Sequence, residues 1–282
     1  MSTKQLRTER GINDQRAETM PQHLLRRLPA GKVNDGANDD VVASSNFRPH
    51  FQPIVIGNNH ELYAFEALLR IPGVSTADAL FRRWESTGEV TSIDAAMVRR
   101  VRTALQVRER RAAVTVNASA LTVALAPENY LAEVAELVKV AELVVVEVTE
   151  TFPVLKFSQL LDFANNCKAL GAAFALDDCT PEHEYCNQPA LRQLRPQLLK
   201  LDGGFFTDAY KRGDGAALEV IAELANDIGA FVVAEHVETA AMGDWAVAHG
   251  AHLLQGFYFG AAKPLSTTTP PARGVYPFPQ TT

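Results

Sequence analysis

Cysteine, tryptophan and long apolar runs are all scarce in this 282-residue sequence. The three cysteines (Cys167, Cys179, Cys186) are odd in number and have no metal-site spacing. That argues against a disulfide framework and a zinc knuckle, and it fits a reducing compartment. No apolar run approaches the ~20 residues a bilayer-spanning helix needs, and the opening segment MSTKQLRTERGINDQRAETM lacks the apolar core of a secretion signal. The expectation is a cytoplasmic protein that makes no use of a membrane. Basic residues are also in deficit: 27 Lys and Arg against 33 Asp and Glu leave a net charge of −6. Duplex binders carry a basic footprint, so a nucleic acid polymer is disfavoured as a partner. A small anionic ligand is not, because it needs only local positive charge or metal ions.

Residues 1–45 are polar, mixed in charge and without periodic apolar positions. They read as a disordered or partly helical arm. Residues 266–282 are rich in Pro and Thr and read as an irregular tail. Between them, residues 46–265 are regular. FQPIVI (51–56), a GNNH turn and LYAFEALLRI (62–71) read as a β-hairpin, because Gly and Asn accept the positive φ of a tight turn. Helices follow over 76–88, with Thr76 as N-cap and Gly88 as stop, and over 92–110. Thereafter short Val- and Leu-rich strands (114–119, 143–150, 172–178, 198–202, 231–238, 253–259) alternate with amphipathic helices (127–140, 156–171, 215–229, 239–250). Gly171, Gly229 and Gly250 stand where helix C-caps belong. Strands buried on both faces and separated by helices form a parallel sheet. About eight such units fit a closed (β/α)8 barrel of the TIM type, with a hairpin supplying its first strand. A doubly wound open sheet is the alternative.

Each strand begins apolar and finishes polar. Asn117 ends one, Glu147 and Glu150 the next, then Asp177 and Asp178, Lys200 and Asp202, Glu235 and Glu238, and Gln255; Glu66 lies on the hairpin. In a parallel barrel all these ends open on one face, where active sites form. One acid at a strand end is commonly a loop cap, and an Asp-Asp pair is a common surface feature. Recurrence on successive strands is what separates this pattern from those. Carboxylates crowded into one mouth repel unless cations neutralise them. Carboxylate and amide oxygens without His or Cys favour Mg²⁺ or Mn²⁺ over Zn²⁺. Neighbouring strand residues face opposite ways, so Asp177 and Asp178 both serve one site only where the strand ends and turns. There they suit two ions, an arrangement fitted to hydrolysis of a phosphodiester.

The ordered motif series resembles the EAL domain family of cyclic di-GMP phosphodiesterases over roughly residues 47–265. FQPIV (51–55) resembles the family's opening strand, EALLR (66–70) its naming ExLxR signature, VNAS (116–119) its NxS and EVTE (147–150) its ExTE. ALDD (175–178), LLKLD (198–202), AEHVET (234–239) and QGFYFGAAKP (255–264) follow in the family's order. The resemblance implies that two ions, Mg²⁺ or Mn²⁺, are held by Glu66, Asn117, Glu147 and Asp177, with Asp177 bridging and Asp178 on the second. It implies catalytic roles for Lys200 at the attacking water, Glu235 as general base or metal partner, Glu150 as anchor of the loop after Asp178, and Gln255 at the far edge. Gln52 and Arg70 would contact substrate, Arg70 through a phosphate, while Leu68 and Pro264 would pack on guanine. The implied product is the linear dinucleotide pGpG. A homodimer and a regulatory protein partner are the assemblies considered.

The sequence departs from the family after the Asp pair. The family's DDFGTGxSS is replaced by Asp177-Asp178-Cys179-Thr180-Pro181-Glu182-His183-Glu184-Tyr185-Cys186. Both glycines are lost and Pro181 enters, so the loop is not expected to follow the family's path without strain. In the family this loop shapes the second metal site, substrate affinity and the dimer contact. The alternative function is therefore a receptor that holds cyclic di-GMP, or a protein partner, without hydrolysis. His236 also replaces the family's glycine in AEGVE, and a residue is added near Ala261-Ala262-Lys263-Pro264.

Overall fold

A computed structural model describes residues 46–74, 78–107, 111–149 and 155–265. All of them lie in one of the chain's two compact units, Asn34–Thr282. Thr76 and Glu150 lie outside the described residues.

Eight strands close into a barrel in sequence order. They are β1 (Arg48–Ile56), β2 (Leu62–Arg70), β3 (Ala113–Ser119), β4 (Leu143–Thr149), β5 (Ala173–Cys179), β6 (Leu198–Leu201), β7 (Phe231–Ala234) and β8 (Leu253–Gln255). β1 runs antiparallel to both neighbours, β2 and β8, and every other pairing is parallel. The hairpin-led barrel expected from the sequence therefore forms, and the open sheet does not. Val144, Val145, Val146 and Val148 are buried on successive positions of β4, as are Phe174, Ala175 and Leu176 on β5. One face packs inside the barrel and the other against the helices. Each fully buried Val or Leu contributes about 1.5–3 kcal/mol.

The helices among the described residues are α1 (Asp78–Thr87), α2 (Val90–Gln106), α3 (Ala120–Leu125), α4 (Pro127–Val138), α5 (Phe157–Ala169), α6 (Gln188–Leu194), α7 (Gly203–Arg212), α8 (Gly215–Ile228) and α9 (Ala240–Ala248). α3, α6 and α7 were not foreseen. Each begins at a side-chain cap: Thr122 N–H donates to Ser119 Oγ (3.2 Å), Ala190 N–H to Asn187 Oδ1 (3.1 Å) and Phe205 N–H to Asp202 Oδ1 (2.6 Å). Asp202 thus uses its carboxylate as a helix cap, worth about 1 kcal/mol, rather than in the barrel mouth. Gly171, Gly229 and Gly250 carry positive φ as helix stops, as expected.

β7 and β8 are shorter than the sequence pattern suggested. β7 stops at Ala234 because His236 turns into the left-handed region at φ 54°. The chain after it returns to the barrel through Val237, whose N–H donates to the Gln255 carbonyl at 3.0 Å.

Candidate active site

β2 to β8 each deliver one polar side chain to the same end of the barrel, through Glu66, Asn117, Glu147, Asp177, Lys200, Glu235 just beyond β7, and Gln255. Lys200 is at the centre. It is 1% exposed, and its Nζ lies 2.8 Å from Glu147 Oε2, 2.8 Å from Glu235 Oε1, 3.2 Å from Asp177 Oδ1 and 3.7 Å from Glu66 Oε1. Glu66 also accepts from Asn117 Nδ2 (3.1 Å) and Gln255 Nε2 (2.6 Å). Gln255 Nε2 also reaches Gln52 Oε1 at 3.4 Å, and Gln52 Nε2 donates to the Gly260 carbonyl at 3.2 Å.

The electrostatics follow from three buried acids and the partly buried Glu235 around one ammonium. Burial raises the Glu235 carboxyl to about 8 against the pull of Lys200, with the charges of Asp177 and Glu66 adding to the rise. Burial likewise lifts Glu147 well above the carboxylate range, and neighbouring Glu66 and Asp177 reinforce it. Glu66 goes the other way. Its burial penalty is outweighed by Lys200, by the Gln255 and Asn117 hydrogen bonds, and by Arg70, which together hold it below its ordinary value. Lys200 is held well above the lysine range: burial opposes its charge, but Asp177, Glu147, Glu235 and Glu66 prevail.

Asp177 lines the site while Asp178 stands beside it, outside the cavity wall, and the pair is set by a different device from the one expected. The strand does not end at the pair but runs on to Cys179, and the β5–β6 register shifts between Leu176 and Cys179. Within that bulge Asp178 adopts φ 52°. A bulge breaks the alternation of faces that would otherwise send the two carboxylates apart. Asp178 is half-buried beside Asp177, and burial together with that charge raises it to about 6.

The divergent loop closes without further left-handed residues: none from 179 to 186 has positive φ. Buried side chains hold it instead. Cys179 and Cys186 are both buried, and the Cys179 thiol donates to the Leu176 carbonyl at 3.4 Å. Tyr185 Oη donates to the Leu155 carbonyl at 2.8 Å, and its ring lies 5.4 Å from that of Phe157.

Above the acids opens a cavity of about 330 Å³, with Gln52, Leu68 and Arg70 on one wall and His236, Glu238 and Phe257 on another. Arg70 and Phe257 are exposed. Pro264 is exposed and lies outside the wall. Glu238, read from the sequence as a strand-end acid at the mouth, does line the cavity, whereas Phe257 as a wall residue and His236 as more than a motif departure were missed from the sequence. The position of His236 follows from the early end of β7 and that of Phe257 from the early end of β8, which no apolar pattern signals. A second cavity of about 340 Å³, lined by Ile56, Tyr63, Val247 and Leu253 among others, is mainly apolar and lies away from the acids.

Gly256 fixes the contact between the two chain segments beside the site. A Cβ there would meet the Val237 backbone, with O at 2.1 Å and N at 2.3 Å. Backbone cannot rotate away as a side chain can. Gly256→Ala is therefore expected to cost about 3 kcal/mol or more, the upper end of overpacking, and to weaken ligand binding by displacing Glu235 and Gln255. Thermal melting checks this. A midpoint within about 2 °C of the parent would contradict it.

The residues fit divalent cations by their chemistry. The donors are hard oxygens, the acids outnumber the single lysine, and buried Glu147 Oε1 has no hydrogen-bond partner. Among the described residues no three acids, histidines or cysteines converge on a common metal position. The Lys200 ammonium stands between them, so holding an ion would require the carboxylates to re-aim.

A closed barrel with one acidic, lysine-centred mouth defines the architecture of a hydrolytic or ligand-binding barrel domain. The EAL domain family model matches residues 37–264, and the chain belongs to that family. The bifunctional diguanylate cyclase/cyclic di-GMP phosphodiesterase MucR of Pseudomonas aeruginosa is 28% identical over 227 residues, covering 76% of this chain and 33% of that protein. The cyclic di-GMP phosphodiesterase NbdA of the same organism is 28% identical over 231 residues, covering 77% of this chain and 29% of the other. This chain thus spans about a third of the length of these curated relatives. A solved structure of the MucR phosphodiesterase in complex with cyclic di-GMP aligns with a TM-score of 0.66 at 27% identity, over 78% of this chain and 97% of that one. The manganese/cyclic di-GMP complex of Klebsiella pneumoniae BlrP1 shares the fold, with a TM-score of 0.65 at 21% identity over 78% of this chain and 57% of the other.

Proposed function

We propose that this domain hydrolyses cyclic di-GMP to pGpG, lowering the level of the second messenger, with two divalent ions, Mg²⁺ or Mn²⁺. The observation that carries the reading is the ring of acids around Lys200 at the mouth of an EAL-family barrel, with Arg70 on its rim. Glu66, Asn117, Glu147 and Asp177 would hold one ion, and Asp177 with Asp178 the second. Bound there, such ions lower the pKa of water and screen phosphate charge.

The chain's own groups do the positioning. Arg70 offers a guanidinium fork to a phosphate. Gln52 and Leu68 line the ligand's path, with Pro264 at its margin. Lys200 orients the attacking water and the phosphate oxygen. Glu235, 2.8 Å from the Lys200 ammonium, would receive the water's proton once its carboxyl is ionised. Gln255 keeps Glu66 oriented through its 2.6 Å hydrogen bond. Water adds to phosphorus and the bond to one ribose 3′ oxygen breaks. That oxygen leaves with a proton, and the product carries a 5′ phosphate.

The test is product identity. Purified protein with Mg²⁺ or Mn²⁺ should convert cyclic di-GMP to pGpG as the first product on chromatography, and a chelator should stop it. Release of GMP without prior pGpG would overturn the reading.

The loop of Cys179–Cys186 favours a second reading, a receptor that binds cyclic di-GMP without turnover. Replacing residues 179–186 with the family's sequence should then create activity that the parent lacks.

A further inference from the structure

His236 adopts φ 54°, a left-handed conformation that a glycine takes without steric cost and that histidine tolerates less well. Its neighbours leave it no other direction. On one side Glu235 is tied to Lys200 at 2.8 Å. On the other, buried Val237 is held by the Gln255 carbonyl and itself accepts from Tyr258 N–H at 3.1 Å. The exposed side chain is aimed into the cavity wall. Behind it lies Gly203, at the start of α7. A Cβ on Gly203 would meet His236 Cγ, Nδ1 and Cε1 at 2.5, 2.4 and 2.5 Å, so the imidazole rests face-on against that glycine. An alanine at 203 would occupy the ring's place. The two residues fit only as a pair. The left-handed backbone has its counterpart in His60, but His60 sits in the β1–β2 turn and packs edge-on to Phe259. His236 instead presents a flat ring, backed by protein on one face, to the cavity that holds Arg70 and the acids. The exposed Phe257 ring shares that wall.

We propose that His236 is a specificity-determining residue that contacts the ligand, its imidazole backed by Gly203 serving as a platform on which one purine base stacks. Stacking is the chemistry this geometry suits, because a ring with one covered face offers the other to a second flat ring. The inference rests on the reading of this cavity as the cyclic dinucleotide site.

The experiment is calorimetric titration of cyclic di-GMP into the full chain with Ca²⁺ present, for the parent, His236→Gly, His236→Asn and His236→Phe, alongside thermal melting. The parent should bind. His236→Gly should bind about tenfold more weakly, and should melt no lower than the parent because glycine relieves the backbone. His236→Phe keeps a ring and should stay within about threefold of the parent, whereas His236→Asn, which keeps hydrogen-bonding groups without a ring, should fall with the glycine variant. Equal affinity of parent and His236→Gly, or full affinity in His236→Asn with loss in His236→Phe, would overturn the stacking role while leaving the proposed function intact. A parent that binds no cyclic di-GMP would overturn both.

Discussion

Lys200→Met should destabilise the metal-free protein by about 3–5 kcal/mol at neutral pH, the scale of breaking a buried ion pair from one side. The side chain is 1% exposed and its ammonium lies within 4 Å of four carboxyl groups. Methionine fills similar space, so packing changes little and the loss is electrostatic. The acids left behind must take up protons or a cation, and the deficit should therefore shrink at pH 5 and grow at pH 8. At about 2–4 °C per kcal/mol for a domain of this size, the midpoint should fall by roughly 10 °C. Mg²⁺ or Mn²⁺ should restore more stability to Lys200→Met than it adds to the parent. Differential scanning calorimetry with and without the ion reads both effects. Unchanged melting would mean that the acids are not ionised around Lys200.

Divalent ions should also stabilise the parent in a pH-dependent way. Burial, against the pull of Lys200, lifts Glu235 to about 8 from 4.5, and burial lifts Glu147 in the same direction. A carboxyl whose folded-state pKa is raised adds stability that is complete below about 4.5 and is lost as pH rises through about 8. Metal-free protein should therefore weaken between pH 5 and 8. The lowered pKa of Glu66 acts on the acid side of that window, and the raised pKa of Lys200 on the alkaline side, so neither offsets the trend. Ions need the ionised carboxylates, so the midpoint rise from saturating Mg²⁺ or Mn²⁺ should be small at pH 5.5 and largest near pH 8.5. An ion at about a hundredfold its Kd adds about 2.7 kcal/mol. A shift that is equal at both pH values would contradict cation binding by these acids.

Much of this was legible in the sequence because barrel strands carry their information twice, in apolar bodies and polar ends. Val144 to Val148 announce a strand buried on both faces, and Glu147 within it announces the mouth. What the pattern hid was backbone. FVVAEHVE keeps a strand's alternation past Ala234, and only the left-handed turn at His236 ends it. The Asp pair looked like a strand end, yet a bulge with φ 52° at Asp178 lets the strand continue to Cys179. Asp202 matched the strand-end acids in sequence, and a helix N-terminus claims it. The short helices α3 and α6, of six and seven residues, have too few turns to show a period, and their caps are the only local signal. Lys200 could be placed at the mouth from the sequence, but its position between the acids comes from long-range closure of the barrel, which brings Glu66 and Gln255 together across 189 residues.

The most direct measurement is the rate of pGpG formation from cyclic di-GMP by parent protein and by Glu66→Ala, side by side, with Mg²⁺ or Mn²⁺. Glu66 accepts from Asn117 and Gln255 and faces Lys200, so its loss should lower the rate by a factor of about 10² or more. Metal-dependent product from the parent with near-total loss in the variant is the expected result. Equal rates in the two proteins, or no product from either, would contradict a phosphodiesterase centred on these acids.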